Sequence, residues 1–403
     1  MTADLEGILS GLRVVEYADF VSGPYVGRQL AELGAEVIKV EPPGKGDSAR
    51  RTGPFAHDVP ALDTSLLFNY LNGNKLGLTL DISTPTGHEL FSGLLREADV
   101  FLYGGAAAQV EALGLDHHGL QKTNPRLIST YVTPFGLSGP YRNFKGGELV
   151  LDHLAGLSYS TPGGLTDKTK PPLKPGGRHA LMMAGLHGAV ATLLALFLRE
   201  ATQHGQAVDV SEIEPISSIQ LFSVMQVAFT GQQGVRGSGE AAPFYEATDG
   251  TVTISPMQEH MWQAMVHVMG DPAWASEPAF ANRMARNANR KAIHDRVTEW
   301  TSTLPKNEIY QSLQASRVPA FPTNTVADVL ASTQIQARGF FEQIPLPSGE
   351  NATAPGPRYR FAEGLPGIRR PAPRLGEHTC QILRERLHVT GEDLVTLFEL
   401  GII

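Results

Sequence analysis

Three lysines, Lys39, Lys75 and Lys145, fall at or near the ends of predicted strands or in the loops after them. Ligands of open α/β sheets gather at the carboxyl ends of strands, so three cations there suit an anionic ligand. Three solvated surface lysines suit the same spacing. Glu148 and Asp152 stand four apart on one face of a short predicted helix. Buried, that pair would shift each other's protonation; solvated, it is an ordinary helix face. His153, His179 and His187 are neither paired at i, i+4 nor flanked by carboxylates at ligand spacing, and no metal site is expected. Glu259 and His260 are adjacent, so their side chains point different ways. Glu41 ends a predicted strand as a ribose-binding acid would. The turn before it, Ala18 to Pro24, lacks the G-x-G-x-x-G glycines, and Pro24 removes an amide donor. Nicotinamide binding is therefore disfavoured. Gly104-Gly105 has no following Gly-Lys-Ser/Thr, and no G-x-S-x-G elbow occurs.

The elements that must position these groups alternate in a βαβ manner. Leu12–Tyr17 reads as a strand and Tyr25 to about Leu33 as a helix, with Pro24 in its first turn and Ser22 or Asp19 as its cap. Glu36–Glu41 follows as a strand, making a right-handed parallel crossover. After a polar loop at 42–64, strands are expected at 76–81, 100–103, 127–133 and 206–211, and helices at 85–98, 147–157 and 181–199. This is an open α/β sheet with helices on both faces. Residues 213–235 read as helical, Thr248–Thr251 as a hairpin turn, and 256–315 as helical. The chain then divides into a first part at 1–224, a smaller domain at 225–320 and a proline-rich return segment at 321–403, ending in a helix near 391–399.

The 403 residues are 42% hydrophobic and 18% charged, the composition of a globular chain of two or three folding units. A net charge of −8 disfavours nucleic acid as a partner. Cys380 stands alone, so neither a disulfide framework nor a thiolate-built zinc site is expected. No apolar run is expected to reach the ~18 residues of a membrane span, and the N-terminus shows no secretory pattern, so a cytoplasmic location is expected.

Eight collinear blocks resemble the class III CoA-transferases (CaiB/BaiF type), the family of formyl-CoA, carnitine and benzylsuccinate CoA-transferases. They begin at Leu9–Glu16 and continue with Leu33–Asp47, Leu71-Asn72 with Lys75, and Asn124–Ile128. Phe135-Gly136, Gly139–Tyr141, Gly205–Val210 and Pro373–Thr379 complete them. The resemblance implies a Rossmann-like large domain built from both chain ends, a smaller α+β domain, and two chains threaded as an interlocked dimer. It implies no tightly bound cofactor, with coenzyme A or acyl-CoA as substrate beside a carboxylic acid. In the family an aspartate attacks the acyl-CoA thioester to give a mixed anhydride, which the CoA thiolate then reopens.

Carried onto this chain, the resemblance puts Glu148 in the active site. It places Lys39, Asn72, Lys75 and Lys145 on the CoA side, with Phe20, Val21 and Ser22. Leu181 occupies the nucleophile's place and has no lone pair. Val21 replaces a glutamine, Pro42 and Ala112 replace arginines, Gly104-Gly105 an Asn-Phe pair, and Pro256–Gln258 a glycine loop. Gly147 stands where racemases of the fold carry histidine, so racemase activity is not expected. Three readings follow: a subunit of a heteromeric CoA-transferase whose partner brings the aspartate, an active homodimer using Glu148, or a non-catalytic acyl-CoA-binding protein. The apolar wall expected from Phe20, Val21, Leu181 and Met257 suits an aromatic or aliphatic acyl group.

Overall fold

The computed structural model describes residues 7–161, 169–233, 244–357, 359–361 and 367–403. The chain divides into two units. One holds Met1–Thr161, Pro172–Gln232 and Gly339–Ile403, the other Pro162–Pro171 and Gln233–Arg338.

The first unit is mixed α/β around six parallel strands: β1 (Arg13–Ala18), β2 (Glu36–Glu41), β3 (Leu76–Thr79), β4 (Val100–Gly104), β5 (Ile128–Thr133) and β6 (Ala207–Ser211). Their order is β3-β2-β1-β4-β5-β6. The chain steps outward to β3, then restarts on the other side of β1, so a crevice opens where the order reverses, between β1 and β4. Strands covered on both faces read as continuous apolar runs, and all five residues of β4 are buried. One face of the sheet packs Val15, Ile38, Leu78, Phe101 and Tyr131 against Phe91 and against Leu383, Leu394 and Leu397 of the chain's last segment. Thr79 N–H donates to Thr379 Oγ1 at 2.9 Å and Asp81 N–H to Ile402 O at 2.8 Å, stitching the two chain ends together.

The other face carries Val14, Val37, Leu102, Ile128 and Val132 under two helices, Ser22–Glu32 and His179–Thr202. Small residues let these helices approach closely: a Cβ on Gly185 would fall 2.7 Å from the Ser22 carbonyl oxygen, and one on Gly188 2.8 Å from Val26. Neither Ser22 nor Asp19 caps the first helix. Its N-cap is Val21 without a side-chain bond; Ser22 lies inside the helix, and Asp19 instead accepts from Ser48 N–H and Oγ.

His179–Thr202 corrects one composition-based expectation. This 24-residue helix has an 18-residue window of mean hydropathy 2.0, long and apolar enough to cross a bilayer by that measure. Its buried residues, among them Ala184, Ala189 and Ala195, nonetheless pack on the sheet of this α/β unit.

In the second unit β8 (Gly250–Ile254) lies between β7 (Phe244–Ala247) and β9 (Ala320–Pro322), all antiparallel. Val252, Ile254, Trp262, Val297, Ile309 and Leu313 fill its core. The helical stretch expected at 213–235 breaks into Ile213–Ser218 and Leu221–Thr230. The proline-rich tail contains a hairpin not foreseen, β10 (Phe341–Pro345) paired with β11 (Asn351–Pro355).

Candidate active site

Beneath the first helix the apolar face of the sheet turns charged toward its carboxyl edge. Glu16 on β1 and Lys39 on β2 sit opposite each other in register, and both are fully buried. Lys39 Nζ donates to Glu16 Oε1 (3.1 Å) and the Ala18 carbonyl (2.9 Å), and lies 2.7 Å from Asp47 Oδ2. Lys75 Nζ donates to Glu16 Oε2 (2.7 Å), the Pro24 carbonyl (2.9 Å) and Asn72 Oδ1 (2.8 Å). An ammonium has three donors, and both lysines have spent all three on the fold. Asn72 is buried too, with its amide donating to the Phe68 carbonyl.

Lys39, Asn72 and Lys75, expected on the CoA side, are thus placed in the buried interior, where they hold β1, β2 and the first helix together. Burial pulls the Lys39 pKa down, but Asp47, Glu16 and Glu41 lift it above the ordinary lysine value. For Lys75 burial wins, lowering it to about 8 against the opposing charge of Glu16. Glu41, the would-be ribose acid, is held bidentately by Arg50 at 2.7 and 2.8 Å. Lys145 is exposed on its loop.

The crevice at the switch point is real. A cavity of about 320 Å³ lies at the carboxyl ends of β1, β2 and β4, lined by Tyr17, Lys45, Arg51, Tyr103, Gly105 and Gln109 among others. Lys45 and Arg51 are its exposed cations. Gly104, on the same rim, is required by packing, since a Cβ there would sit 2.9 Å from Ala18 Cβ and 3.1 Å from Gly23 Cα. Phe20, beside the crevice, takes φ +68° and gives its amide to Asp47 Oδ1 at 2.9 Å.

A second cluster gathers where β5 and β6 end. The helix Glu148–Leu154 buries Glu148 and Asp152 on one face, as i, i+4 spacing demands. Glu148 accepts a backbone hydrogen bond from Ala180, in the first turn of the long helix, where an anion is favoured. Lys174 lies 4.0 Å from Glu148 and 3.8 Å from Asp152, and Arg178 lies 3.8 Å from Glu148 while covering the Phe20 ring. Burial raises the Glu148 pKa to about 7, Lys174 and Arg178 opposing it and Asp152 adding to it. Glu148 Oε1 and both Asp152 oxygens lack a hydrogen bond.

Leu181 follows Ala180 directly and packs with Val21, Phe135, Leu151 and Ile216, with Phe20 at the edge. It lies one helical turn before Gly185, the residue that touches Ser22. Phe20, Val21 and Leu181 thus form one apolar wall; Met257 belongs to the other unit. The sequence reading missed Glu212. It is buried at the end of β6, accepts the Ser22 hydroxyl proton on Oε1, and is raised to about 7 chiefly by burial. It missed Lys174 and Arg178 as well. Lone charged letters in a loop or after a strand carry no periodic signal. Glu259 pairs with Arg286 within the second unit, and no group of three metal-ligating side chains occurs among the described residues.

The family model described as CoA-transferase family III matches residues 9–379. This chain belongs to CoA-transferase family III. It is 30% identical over 387 residues to the succinate–glutarate CoA-transferase of Agrobacterium fabrum, covering 94% of this chain and 95% of that one. It is 32% identical to the succinyl-CoA:(R)-benzylsuccinate CoA-transferase subunit BbsE of Thauera aromatica, covering 93% of each. Among solved structures, a CaiB/BaiF family protein from Brucella suis superposes with a TM-score of 0.83 at 29% identity, covering 94% of this chain and 99% of that one. CoA-transferases use CoA thioesters as substrates.

Proposed function

We propose that this chain is one subunit of a heteromeric cytoplasmic CoA-transferase that moves CoA between an acyl-CoA and a carboxylic acid. The aspartate that carries the acyl group belongs to a paralogous partner chain, interlocked with this one. The observation that carries this reading is Leu181, seated in an apolar cluster at the start of the long helix, where no carboxylate can form the anhydride. Lys45 and Arg51 at the switch-point crevice would hold the anionic end of CoA, and Lys145 from its exposed loop would add charge. Phe20, Val21 and Leu181 would receive an apolar acyl group.

The surface supports a partner of this kind. The apolar helix Leu221–Thr230 buries none of its residues in the single chain, and Phe197, Phe222 and Phe229 are 80%, 87% and 84% exposed. Bare patches of this type mark interfaces. The relative from Thauera is itself named as a subunit.

A second reading is a homodimer in which Glu148 is the nucleophile. Its burial and its bond to Ala180 at the start of the long helix favour it. The discriminating test titrates the purified chain alone with CoA and succinyl-CoA, then assays transfer to acid acceptors. Binding without transfer supports the subunit reading. Transfer by the lone chain, abolished in Glu148→Gln, overturns it for the second.

A further inference from the structure

Ser22 and Glu212 form a pair that neither transferase reading uses. They lie 190 positions apart, at the start of the first helix and just past β6, yet the Ser22 hydroxyl donates to Glu212 Oε1 with both residues buried. A serine inside a helix ordinarily bonds a carbonyl of the preceding turn, and a carboxylate is costly to bury.

We propose that Ser22 is an acyl-accepting nucleophile and Glu212 its general base, giving the chain an acyl-thioester hydrolase activity that needs no carboxylate at position 181. The inference rests on the reading that an acyl-CoA docks against Phe20, Val21 and Leu181.

Three features fit the roles. Nucleophile and base are already within hydrogen-bond reach. Burial holds Glu212 at about 7, the Ser22 hydroxyl opposing and Glu148 reinforcing, so it is both accessible as base and reprotonated near neutral pH. The amides of Ser22 and Gly23 open an 11-residue helix with no acceptor among the described residues, and could receive an oxyanion.

In the first step Ser22 Oγ bonds to the thioester carbonyl carbon and passes its proton to Glu212. The C–S bond breaks, and the CoA thiolate takes that proton and leaves as the thiol. In the second step water attacks the Ser22 ester and gives a proton to Glu212. The Oγ–carbon bond breaks, Ser22 recovers the proton, and the carboxylic acid departs. The sum is acyl-CoA plus water giving acid plus CoA thiol.

The experiment follows thiol release from butyryl-CoA by the full chain without any acceptor acid, with CoA binding measured by calorimetry in parallel. Ser22→Ala and Glu212→Gln are each expected to lower release by ~100-fold or more at saturating butyryl-CoA. Peptide mapping of acid-quenched samples is expected to place the acyl group on Ser22, and in Ser22→Cys on the new thiol. CoA binding with no thiol release, equal release in Ser22→Ala, or acyl found on Glu148 overturns the inference and leaves the transferase reading standing. A folded chain that binds no CoA overturns both.

Discussion

Gly27 rides directly over Glu16: a Cβ at position 27 would come 1.8 Å from Glu16 Oε2 and 3.0 Å from Lys75 Nζ. The first helix can therefore lie on the charged patch of the sheet only if that position has no side chain. Gly27→Ala must push the helix off or break the ion pairs. Its stability is expected to fall by ~1–3 kcal/mol, the range for overpacking, read as a lower urea midpoint at constant slope.

Glu16 neutralises two buried lysines at once, with distances of 3.1 and 2.7 Å. Glu16→Gln leaves both without their shared charge, and a loss of ~3–5 kcal/mol is expected, as for breaking buried pairs. Thermal unfolding measures it. A cost below 1 kcal/mol would show that the lysines find other partners, and with it that they are free enough to reach a ligand.

Glu148 and Glu212 both hold their protons more tightly than the ordinary glutamate value of 4.5, near 7 in each case, mainly through burial. Groups raised on folding contribute stability below their unfolded pKa and lose it as pH rises through the folded one. Stability is thus expected to decline from about pH 4.5 to about pH 7 on their account. The facing groups are Lys174, Arg178 and Asp152 at Glu148, and Ser22 and Glu148 at Glu212. Glu212→Gln removes a titrating group, so its denaturation curves should show a shallower decline over that window.

The exposed phenylalanines of Leu221–Thr230 give a test of assembly. Phe222→Asp is expected to leave the fold intact, because that side chain is 87% exposed in the single chain. Covered by a partner, a phenylalanine contributes roughly 1.5–3 kcal/mol. Sedimentation should then show association weakened at least ~10-fold.

Restoring the carboxylate tests the site from the other side. Leu181→Asp places an acid next to Ala180, whose backbone bonds Glu148. The variant chain, without any partner, is expected to gain transfer of CoA from succinyl-CoA to an acid acceptor. Absence of any gain in a folded variant would mean that the half-site lacks more than its nucleophile.

The sequence determined what depends on neighbours along the chain. Strand β2 at Glu36–Glu41 and the last helix at Gly391–Glu399 lie where pattern and turn residues place them, and Thr84 caps its helix by accepting from Gly87 N–H at 3.1 Å. Burial period and capping are local, so they are written locally.

Only the tertiary structure decided what each charged side chain does. A lysine near a strand end reads the same whether it faces solvent or Glu16, and Lys75 meets Glu16 across 59 residues. Glu212 reaches Ser22 across 190, a contact made by parallel strands and two packed helices rather than by any motif. Desolvation then sets the protonation of Glu148, Lys75 and Glu212, because the cost of a charge depends on what surrounds it in space.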